Sequence, residues 1–361
     1  MQFTFTEEQL LAAQSLRELL QDHCTGTALR ATASALQSNQ PDPSGGTRRQ
    51  ELSELGLTPL LVPEDLGGLG LAPIDFVLLA EEAGRAALPE PLVEHAGVAL
   101  PLLGELARQQ PAARAPLERA MADRGWVLFA DYGDAPVAWM SAADTVMRTN
   151  KSGDAQLFAI GDLKLQRLEG LDPLRPLAVT TFGGATPLAA DSSPQVRAAT
   201  ALASVRGAVF TAAEQLGLAQ RLVELAVAYT SERRQFGKPI GSNQALKHLL
   251  ANVQIRIEFA RPVVYAAAAA LPVSGAPGAA ARVRVTHAKL AAGDAADMAA
   301  RAAIQCHGAM GYSWELDMQF YAKRAWALNA VHGDRNAMGR RIHEDVLAGA
   351  CAIGPDRLFV T

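Results

Sequence analysis

The 361-residue chain has few cysteines, few aromatic residues and little net charge. Its three cysteines, Cys24, Cys306 and Cys351, are far apart, so the sequence has neither a disulfide framework nor the close spacing of a zinc site. The formal net charge of −4 argues against a nucleic-acid-binding protein, which is usually basic or carries a basic stripe. We therefore expect a protein of a reducing compartment, with no metal site and no nucleic-acid partner.

Long apolar runs are also absent. The run VVYAAAAAL ends before Pro272 and is shorter than the roughly 20 residues that span a bilayer. The first residues, MQFTFTEEQ, lack the basic and apolar regions of a signal peptide. Hydrophobic residues make up 49% of the chain, which is typical of a folded protein with a large core. These features predict a soluble, cytoplasmic protein without a membrane span.

The first third of the sequence has helical patterns. Residues 6–24 begin with TEEQ, a capping-box pattern with Thr6 as the N-cap, and continue with leucines at helical spacing. Residues 25–50 are rich in Thr, Ser, Asn, Gly and Pro and predict a loop or a weak helix. A Pro/Gly-rich loop then precedes a helix that begins near Pro73. We predict an N-terminal helical domain over residues 1–124.

Residues 125–200 differ from the preceding residues in composition and pattern, and they predict a small, reduced β domain. Short segments rich in β-branched or aromatic residues alternate with Gly, Asp, Ser and Pro clusters. Because the segments are short and separated by turn residues, we expect antiparallel strands. The predicted strands fall within residues 126–132, 136–142, 144–149, 155–160 and 176–182.

Residues 201–361 return to helical patterns. Candidate helices cover residues 201–232, 243–271, about 280–305 and about 314–330. The order of helices, strands and helices lacks a βαβ repeat, which disfavours a Rossmann architecture. The fold class is therefore mainly α with a central β domain.

The stretch SERRQFGKPIGSNQ, residues 231–244, places cationic and aromatic side chains between two long helical patterns. Arg233 and Arg234 lie where the first of these helices should end, so they are interpretable as a solvated charge pair that complements the helix dipole. Phe236 favours another interpretation. An arginine beside an aromatic in a Gly/Pro turn suits a phosphate group and a flat ring system.

A second loop, QCHGAMGYSWE at residues 305–315, interrupts helical sequence with two glycines. Gly308 and Gly311 permit close approach of a ligand or of another backbone. The alternative is an ordinary link between two helices, with Tyr312 and Trp314 in the core.

Three long stretches resemble the acyl-CoA dehydrogenases. SERRQFGKPIGSNQALKHLLANVQIRIE is similar to that family's flavin-contacting turn and following helix, and QCHGAMGYSWELDMQFYAKRA to its second flavin loop. LLVPEDLGGLGLAPIDFVLLAEEAGRA resembles its N-terminal helical region. The resemblance implies an N-terminal helical domain, a central β domain and a C-terminal four-helix bundle over residues 201–361. It also implies FAD bound at a dimer interface, usually within a dimer of dimers.

The resemblance assigns cofactor roles to the residues of the first turn. Arg233 would contact the FAD pyrophosphate of the neighbouring subunit. Phe236 would pack near the adenine-side moiety, and Gln244 would hydrogen-bond the cofactor. The cationic and aromatic turn is then one chain's contribution to a cofactor that two chains share.

The second loop would contribute from the facing subunit. Gln305 and the backbone from Gly308 to Ala309 would line the adenine diphosphate. The family usually has a second glycine where this chain has Ala309, and a methyl group there is expected to loosen the backbone contact with the cofactor.

The pattern fails at the catalytic base. Family members remove the proton α to a thioester with a carboxylate while the flavin takes a hydride from the β carbon. The usual Glu slot, just before a Gly, holds His332, and a slot used by a minority of relatives falls at about Gly207, with Glu214 two turns further on. His332 is either a base, with an unperturbed pKa of about 6.5, or a loop histidine in a subunit without its own base.

The central domain departs from the family as well. Active relatives carry a TEP-like, Gly/Ser-rich loop, and LFADYGDAP at residues 128–136 does not match it. In these departures the chain resembles a subclass of short acyl-CoA dehydrogenase subunits. They pair with a more complete partner chain as α2β2 assemblies and act on bulky CoA thioesters such as steroid side chains. In such assemblies the partner contributes the base.

The resemblance implies FAD-dependent α,β-dehydrogenation of an acyl-CoA substrate, by this chain alone or with a partner subunit. An electron-transferring flavoprotein or a similar acceptor would take up the electrons. A homodimer or tetramer and an α2β2 assembly both remain open. The competing hypothesis is a non-catalytic structural subunit, and an acyl-CoA oxidase is a third.

Overall fold

The computed structural model describes residues 4–349 except residues 132 and 134, so Cys351 lies outside the described residues. Within the described part, α-helices account for most of the chain. They are α1 (Glu7–His23), α2 (Gly26–Gln37), α3 (Gly45–Glu54), α4 (Pro73–Arg85), α5 (Leu100–Gln109), α6 (Arg114–Met121), α7 (Pro194–Glu232), α8 (Gln244–Ala269), α9 (Ala279–His307), α10 (Met318–Ala330) and α11 (Arg335–Leu347).

The sequence signals at the ends of the first helices are confirmed. Thr6 caps α1, with its hydroxyl accepting from the Gln9 N–H at 3.3 Å while the Gln9 side chain accepts from the Thr6 N–H at 2.8 Å. Pro73 is the first residue of α4, where its missing N–H has no helical partner to lose.

Of the two alternatives for residues 25–50, a loop or a weak helix, the loop is wrong, because the segment forms most of two helices. Thr25 caps α2, and α3 follows after a short turn. The cause is tertiary: Arg48 of α3 is fully buried and pairs with Asp42 at 2.5 Å and Glu90 at 2.7 Å. Contacts of this kind override the weak helix propensity of the segment.

The central strands form two small sheets. One has the order β1-β3-β4-β7 and the other β2-β6-β5. A separate two-stranded hairpin, β8-β9, lies between α7 and α8. The strands are β1 (Val127–Ala130), β2 (Val137–Ala138), β3 (Thr145–Thr149), β4 (Ala155–Ala159), β5 (Lys164–Leu168), β6 (Leu177–Thr181), β7 (Ala189–Asp191), β8 (Arg234–Gln235) and β9 (Lys238–Pro239).

The predicted β region exists, but it is not wholly antiparallel. β1 pairs with β3 in parallel, because the chain between them crosses to the other sheet through β2 instead of reversing in a hairpin. The other central pairs are antiparallel. Two strands of this region were missed: β5 is almost wholly exposed and so lacks alternating apolar residues, and β7 is only three residues long.

Four long helices, α7 to α10, form the C-terminal bundle, and α7 also packs against α4 of the N-terminal part. The fold class, mainly α with a central β domain, is confirmed. α7 begins at Pro194 instead of residue 201, because Ser193 caps it and Pro194 suits its first turn. No helix among the described residues combines the length and the apolar character needed to cross a bilayer.

Candidate functional site

The first candidate region is the turn at the end of α7. Arg233 is the C-cap of α7, and its carbonyl accepts from the Ile240 N–H at 2.8 Å, which closes the β8-β9 hairpin against the helix. Phe236 lies at the tip, with a positive φ of 52° and 99% of its surface exposed. Gln244 is exposed and is the first residue of α8.

The second candidate region lies at the same end of the bundle. The Tyr229 ring, one turn before Arg233, packs on the His307 ring at the end of α9, with 4.3 Å between the centroids. Gly308 follows immediately, so the fold brings the two predicted cofactor loops to one end of the molecule. Gln305 and Ala309 are both exposed there.

The alternative that placed Tyr312 and Trp314 in the core is wrong. Tyr312 is 81% exposed and Trp314 is 65% exposed, with the ammonium of Lys323 lying 3.4 Å from the centre of the Trp314 ring. Together with Phe236 they place three exposed aromatic residues on the two loops. Exposed aromatic groups beside cationic ones are typical of a binding interface.

Two features of these loops suit a ligand that carries phosphate groups. Gly308 adopts a φ of 59° and a ψ of −135°, a conformation that side chains disfavour, and nothing lies within 4 Å of the position a Cβ would take. The backbone there is therefore open to a ligand. Arg233 has no ion-pair partner among the described residues, so its guanidinium is available for a phosphate.

Apart from the two loops, the structure has a further candidate site, a cavity of about 870 Å³ between the β region and the C-terminal helices. This size lies within the range of small-molecule and cofactor pockets. Its lining combines apolar and charged side chains from several elements. The polar lining residues are Glu94, Asp131, Asp172, Arg175, Ser204, Arg282, Thr286, His332, Arg341 and Asp345.

His332 lies in this cavity, in the turn between α10 and α11, with a φ of 58°. Its ring rests directly on Gly207 of α7. A Cβ at position 207 would lie 2.3 Å from Cε1 and 2.4 Å from Nε2 of the imidazole. The two positions at which the sequence comparison expected a carboxylate thus meet in space, and a side chain at one excludes the present ring at the other.

The environment of His332 favours its neutral form. Burial lowers the pKa of the imidazole to about 4, and the positive charge of Lys289 lowers it further. At neutral pH the ring is therefore uncharged. It can accept a proton, but its low pKa makes it a weak base.

Glu214 does not reach the cavity surface. It is 4% exposed, and its Oε2 is buried without a hydrogen-bond partner. Burial raises the pKa of this carboxyl to about 8, and the negative charge of Glu94 raises it further. Glu214 is therefore protonated at neutral pH and lies beneath the cavity instead of serving as a carboxylate in it.

Two charged residues of the cavity were not singled out from the sequence. Arg175 donates from Nη2 to Oε1 of Glu94 at 2.9 Å, and both line the cavity. Each is the one acidic or basic residue, histidine aside, in an apolar stretch, LVEHAGVAL and PLRPLAV, and that signal was available in the sequence. Their pairing was not, because they are 81 positions apart.

Comparisons with known families agree with this arrangement. A model described as the C-terminal domain of acyl-CoA dehydrogenases matches residues 197–347, and one described as the N-terminal domain matches residues 6–127. The acyl-CoA dehydrogenase IpdE2 of Mycobacterium tuberculosis is 33% identical over 343 residues, which cover 94% of this chain and 98% of that protein.

Solved structures share the fold. The ChsE4-ChsE5 complex from Mycobacterium tuberculosis matches with a TM-score of 0.79 at 20% identity, over 96% of this chain and 99% of that chain. A variant of a steroid ACAD, Tcur3481-Tcur3483, matches with a TM-score of 0.80 at 22% identity, over 96% and 99% of the two chains. At such identities the likeness concerns the fold alone.

Proposed function

The chain belongs to the acyl-CoA dehydrogenase family, and on that premise we propose that it is a subunit of an FAD-dependent enzyme that dehydrogenates an acyl-CoA thioester. The family consists of oxidoreductases that act on CH–CH bonds and typically bind FAD. We propose further that a related subunit supplies the carboxylate base, in an assembly such as α2β2. Complexes of related chains are known, as the ChsE4-ChsE5 structure illustrates.

One observation carries the proposal of a partner base. His332 and Gly207 occupy both expected base positions, they are in contact, and neither is a carboxylate. The reaction needs a group that takes the α proton of the thioester, while the β hydrogen leaves with its electron pair. FAD, when bound, supplies the acceptor of that hydride. Arg233, Phe236 and Gln244 would hold the cofactor at one end of the bundle, and Gln305, Gly308 and Ala309 would meet it from the facing subunit.

A second candidate function is a non-catalytic subunit that completes a cofactor site in an oligomer. The absence of a carboxylate at positions 207 and 332 favours this function as much as the first one, because that absence does not show which chain carries out catalysis. In this case the chain would bind half of the cofactor and contribute no acyl pocket.

Purification of the chain alone and with a related Glu-bearing chain, such as one encoded beside its gene, separates the candidates. The proposed function predicts a yellow complex that reduces a flavin-linked dye when acyl-CoA is added, with little turnover by either chain alone. Thioester binding in the cavity of this chain supports it. A complex whose activity is unchanged when this cavity is blocked by Ser204→Trp would support the structural role instead.

Replacement of the predicted base candidate is informative. We expect His332→Ala to lower turnover of the complex less than the 10²- to 10⁴-fold that loss of a positioned base typically costs, because the imidazole is a weak base. Steady-state kinetics of the complex measure this. A drop of about a thousandfold or more, with normal folding, would identify His332 as the base.

The cofactor assignment has its own test. We expect Arg233→Ala to lower FAD retention about tenfold or more, because the variant loses the proposed contact with the cofactor phosphate. The protein should stay folded, because the Arg233 guanidinium is exposed and makes no ion pair with any residue that the structure describes. FAD content after gel filtration and the thermal midpoint give the two readouts. Arg119, an exposed arginine of α6, provides the control: the Arg119→Ala variant should retain its FAD. Full flavin retention in Arg233→Ala would contradict the assignment.

A further inference from the structure

One wall of the cavity carries a charged pair, Glu94 and Arg175. Glu94 comes from the π-helical segment Val93–Ala99, and Arg175 comes from the loop before β6. Their side chains are 23% and 6% exposed, so the pair is mostly enclosed, with its open part on the cavity. Single π-helical turns inside helices are frequent at functional sites.

Arg175 is incompletely satisfied in this position. A guanidinium offers five N–H donors. Among the described residues the Arg175 side chain makes one hydrogen bond, to Glu94, and its Nε is buried without a partner. The guanidinium also lies over the Trp139 ring, 4.8 Å from its centre, which fixes its plane. The Nη donors that Glu94 does not use can serve a ligand oxygen in the cavity.

The charges of this wall balance. Asp172, which also lines the cavity, pairs with Arg324, and both side chains are 1% exposed. Glu214, behind the wall, is neutral at neutral pH because burial raises its pKa to about 8. The wall therefore carries two cations and two anions. The other charged residues that line the cavity, Arg282, Arg341, Asp131 and Asp345, add two charges of each sign, so a ligand carboxylate would find no net positive charge.

An uncharged oxygen suits such a wall best. A hydroxyl group can donate to Glu94 and accept from Arg175, and a keto oxygen can accept from Arg175. A terminal methyl group would displace water from Glu94 and Arg175 without replacing the hydrogen bonds of that water. Such a loss of hydrogen bonds is unfavourable for charged groups. A carboxylate would lie beside Glu94 and be repelled.

We propose that Glu94 and Arg175 recognise an uncharged oxygen, a hydroxyl or keto group, on the acyl part of the CoA thioester. This inference rests on the proposed function, because it assigns the acyl group to this cavity. It goes beyond that function in naming the class of substrate: an oxygenated acyl-CoA in preference to a plain fatty acyl-CoA.

Binding measurements on the FAD-loaded protein, with its partner subunit present, test the inference. The ligands are octanoyl-CoA, 8-hydroxyoctanoyl-CoA and suberoyl-CoA, and the corresponding six-carbon set. In at least one set we expect the hydroxylated thioester to bind about tenfold more tightly than the apolar one, the effect of roughly one net hydrogen bond to a charged group. The dicarboxylic thioester should bind less tightly than the hydroxylated one.

Variants connect the preference to the pair. Both partners are replaced together, as Glu94→Leu with Arg175→Leu, since removal of one would leave a buried unpaired charge. This double variant should prefer the apolar thioester. The matched control, Asp154→Leu with Arg197→Leu, removes a 2.7 Å pair at the surface and should keep the wild-type preference.

A charge-only variant provides a second measurement that does not depend on the double variant folding. Glu94→Gln keeps the side-chain shape but leaves Arg175 as an excess cation. We therefore expect suberoyl-CoA, or its six-carbon counterpart, to become the tightest ligand, with a gain of about tenfold over wild type.

The outcomes separate the inference from the function on which it rests. If none of the thioesters binds to the assembled protein, the proposed function fails and the inference fails with it. If the apolar and hydroxylated thioesters bind equally in both sets, or if the double variant keeps the wild-type preference, the inference alone is overturned.

Discussion

Arg324→Met is expected to destabilise the protein by about 3–5 kcal/mol, the typical cost of leaving one partner of a buried ion pair uncompensated. Arg324 donates from Nε to Asp172 and from Nη1 to the Leu88 carbonyl at 3.0 Å. Both charged side chains are 1% exposed, so water cannot take over the role of the lost partner. Chemical denaturation of wild type and variant measures the difference in the free energy of unfolding.

The pair has a matched rescue and a matched control. Asp172→Asn, added to Arg324→Met, removes the stranded charge and keeps an acceptor for the Leu174 N–H, which Asp172 Oδ1 accepts at 2.9 Å. It should recover much of the loss. Arg301→Met breaks an exposed pair with Asp297 at 2.8 Å and should cost less than about 1 kcal/mol. If Arg324→Met also lowers the free energy of unfolding by less than about 1 kcal/mol, the buried pair between Arg324 and Asp172 is not formed in solution.

Gly207→Ala is expected to destabilise the protein by about 1–3 kcal/mol, the usual cost of overpacking. Alanine normally favours a helix over glycine by about 1 kcal/mol, so the sign of the effect is diagnostic. The reason is the His332 ring, which lies 2.3–2.4 Å from the new Cβ and would have to move. The free energy of unfolding and the FAD content of the complex both report the change.

A double-mutant cycle assigns the effect to the contact. Gly207→Ala combined with His332→Ala should be more stable than the sum of the two single changes predicts, since the collision is absent. Gly339→Ala in α11 is the control, because nothing lies within 4 Å of its added Cβ, and it should be neutral or stabilising. If Gly207→Ala behaves like Gly339→Ala, the ring does not rest on α7.

The contact between Gly207 and His332 also bears on the absence of a carboxylate at the two expected base positions. A carboxylate at position 207 needs a Cβ where the imidazole now lies, so the chain cannot gain that base without moving His332. The two alternative base positions of the family are therefore coupled in this chain. Such coupling is consistent with a partner that supplies the base.

The positions of the two loops that we predict to bind the cofactor could be recognised in the sequence, because their signals are local. In residues 231–244 the cationic, aromatic and Gly/Pro residues are adjacent, and the end of α7 at Glu232 agrees with the pattern. Gly308 marks the end of α9 in the same way. The cofactor roles of Arg233, Phe236 and Gln305 nevertheless remain predictions.

Amphipathic periods, helix caps and turn residues are properties of neighbouring residues, so the order of helices and strands could be predicted from the sequence. The absence of a carboxylate at positions 207 and 332 can be read from the sequence directly. Tertiary structure alone decided which distant side chains meet. The His332 ring rests on Gly207, Arg175 pairs with Glu94, and β1 pairs in parallel with β3. Long-range contacts depend on how whole helices and strands pack against one another. Such contacts between distant residues produce no periodic pattern in the sequence from which they could be predicted.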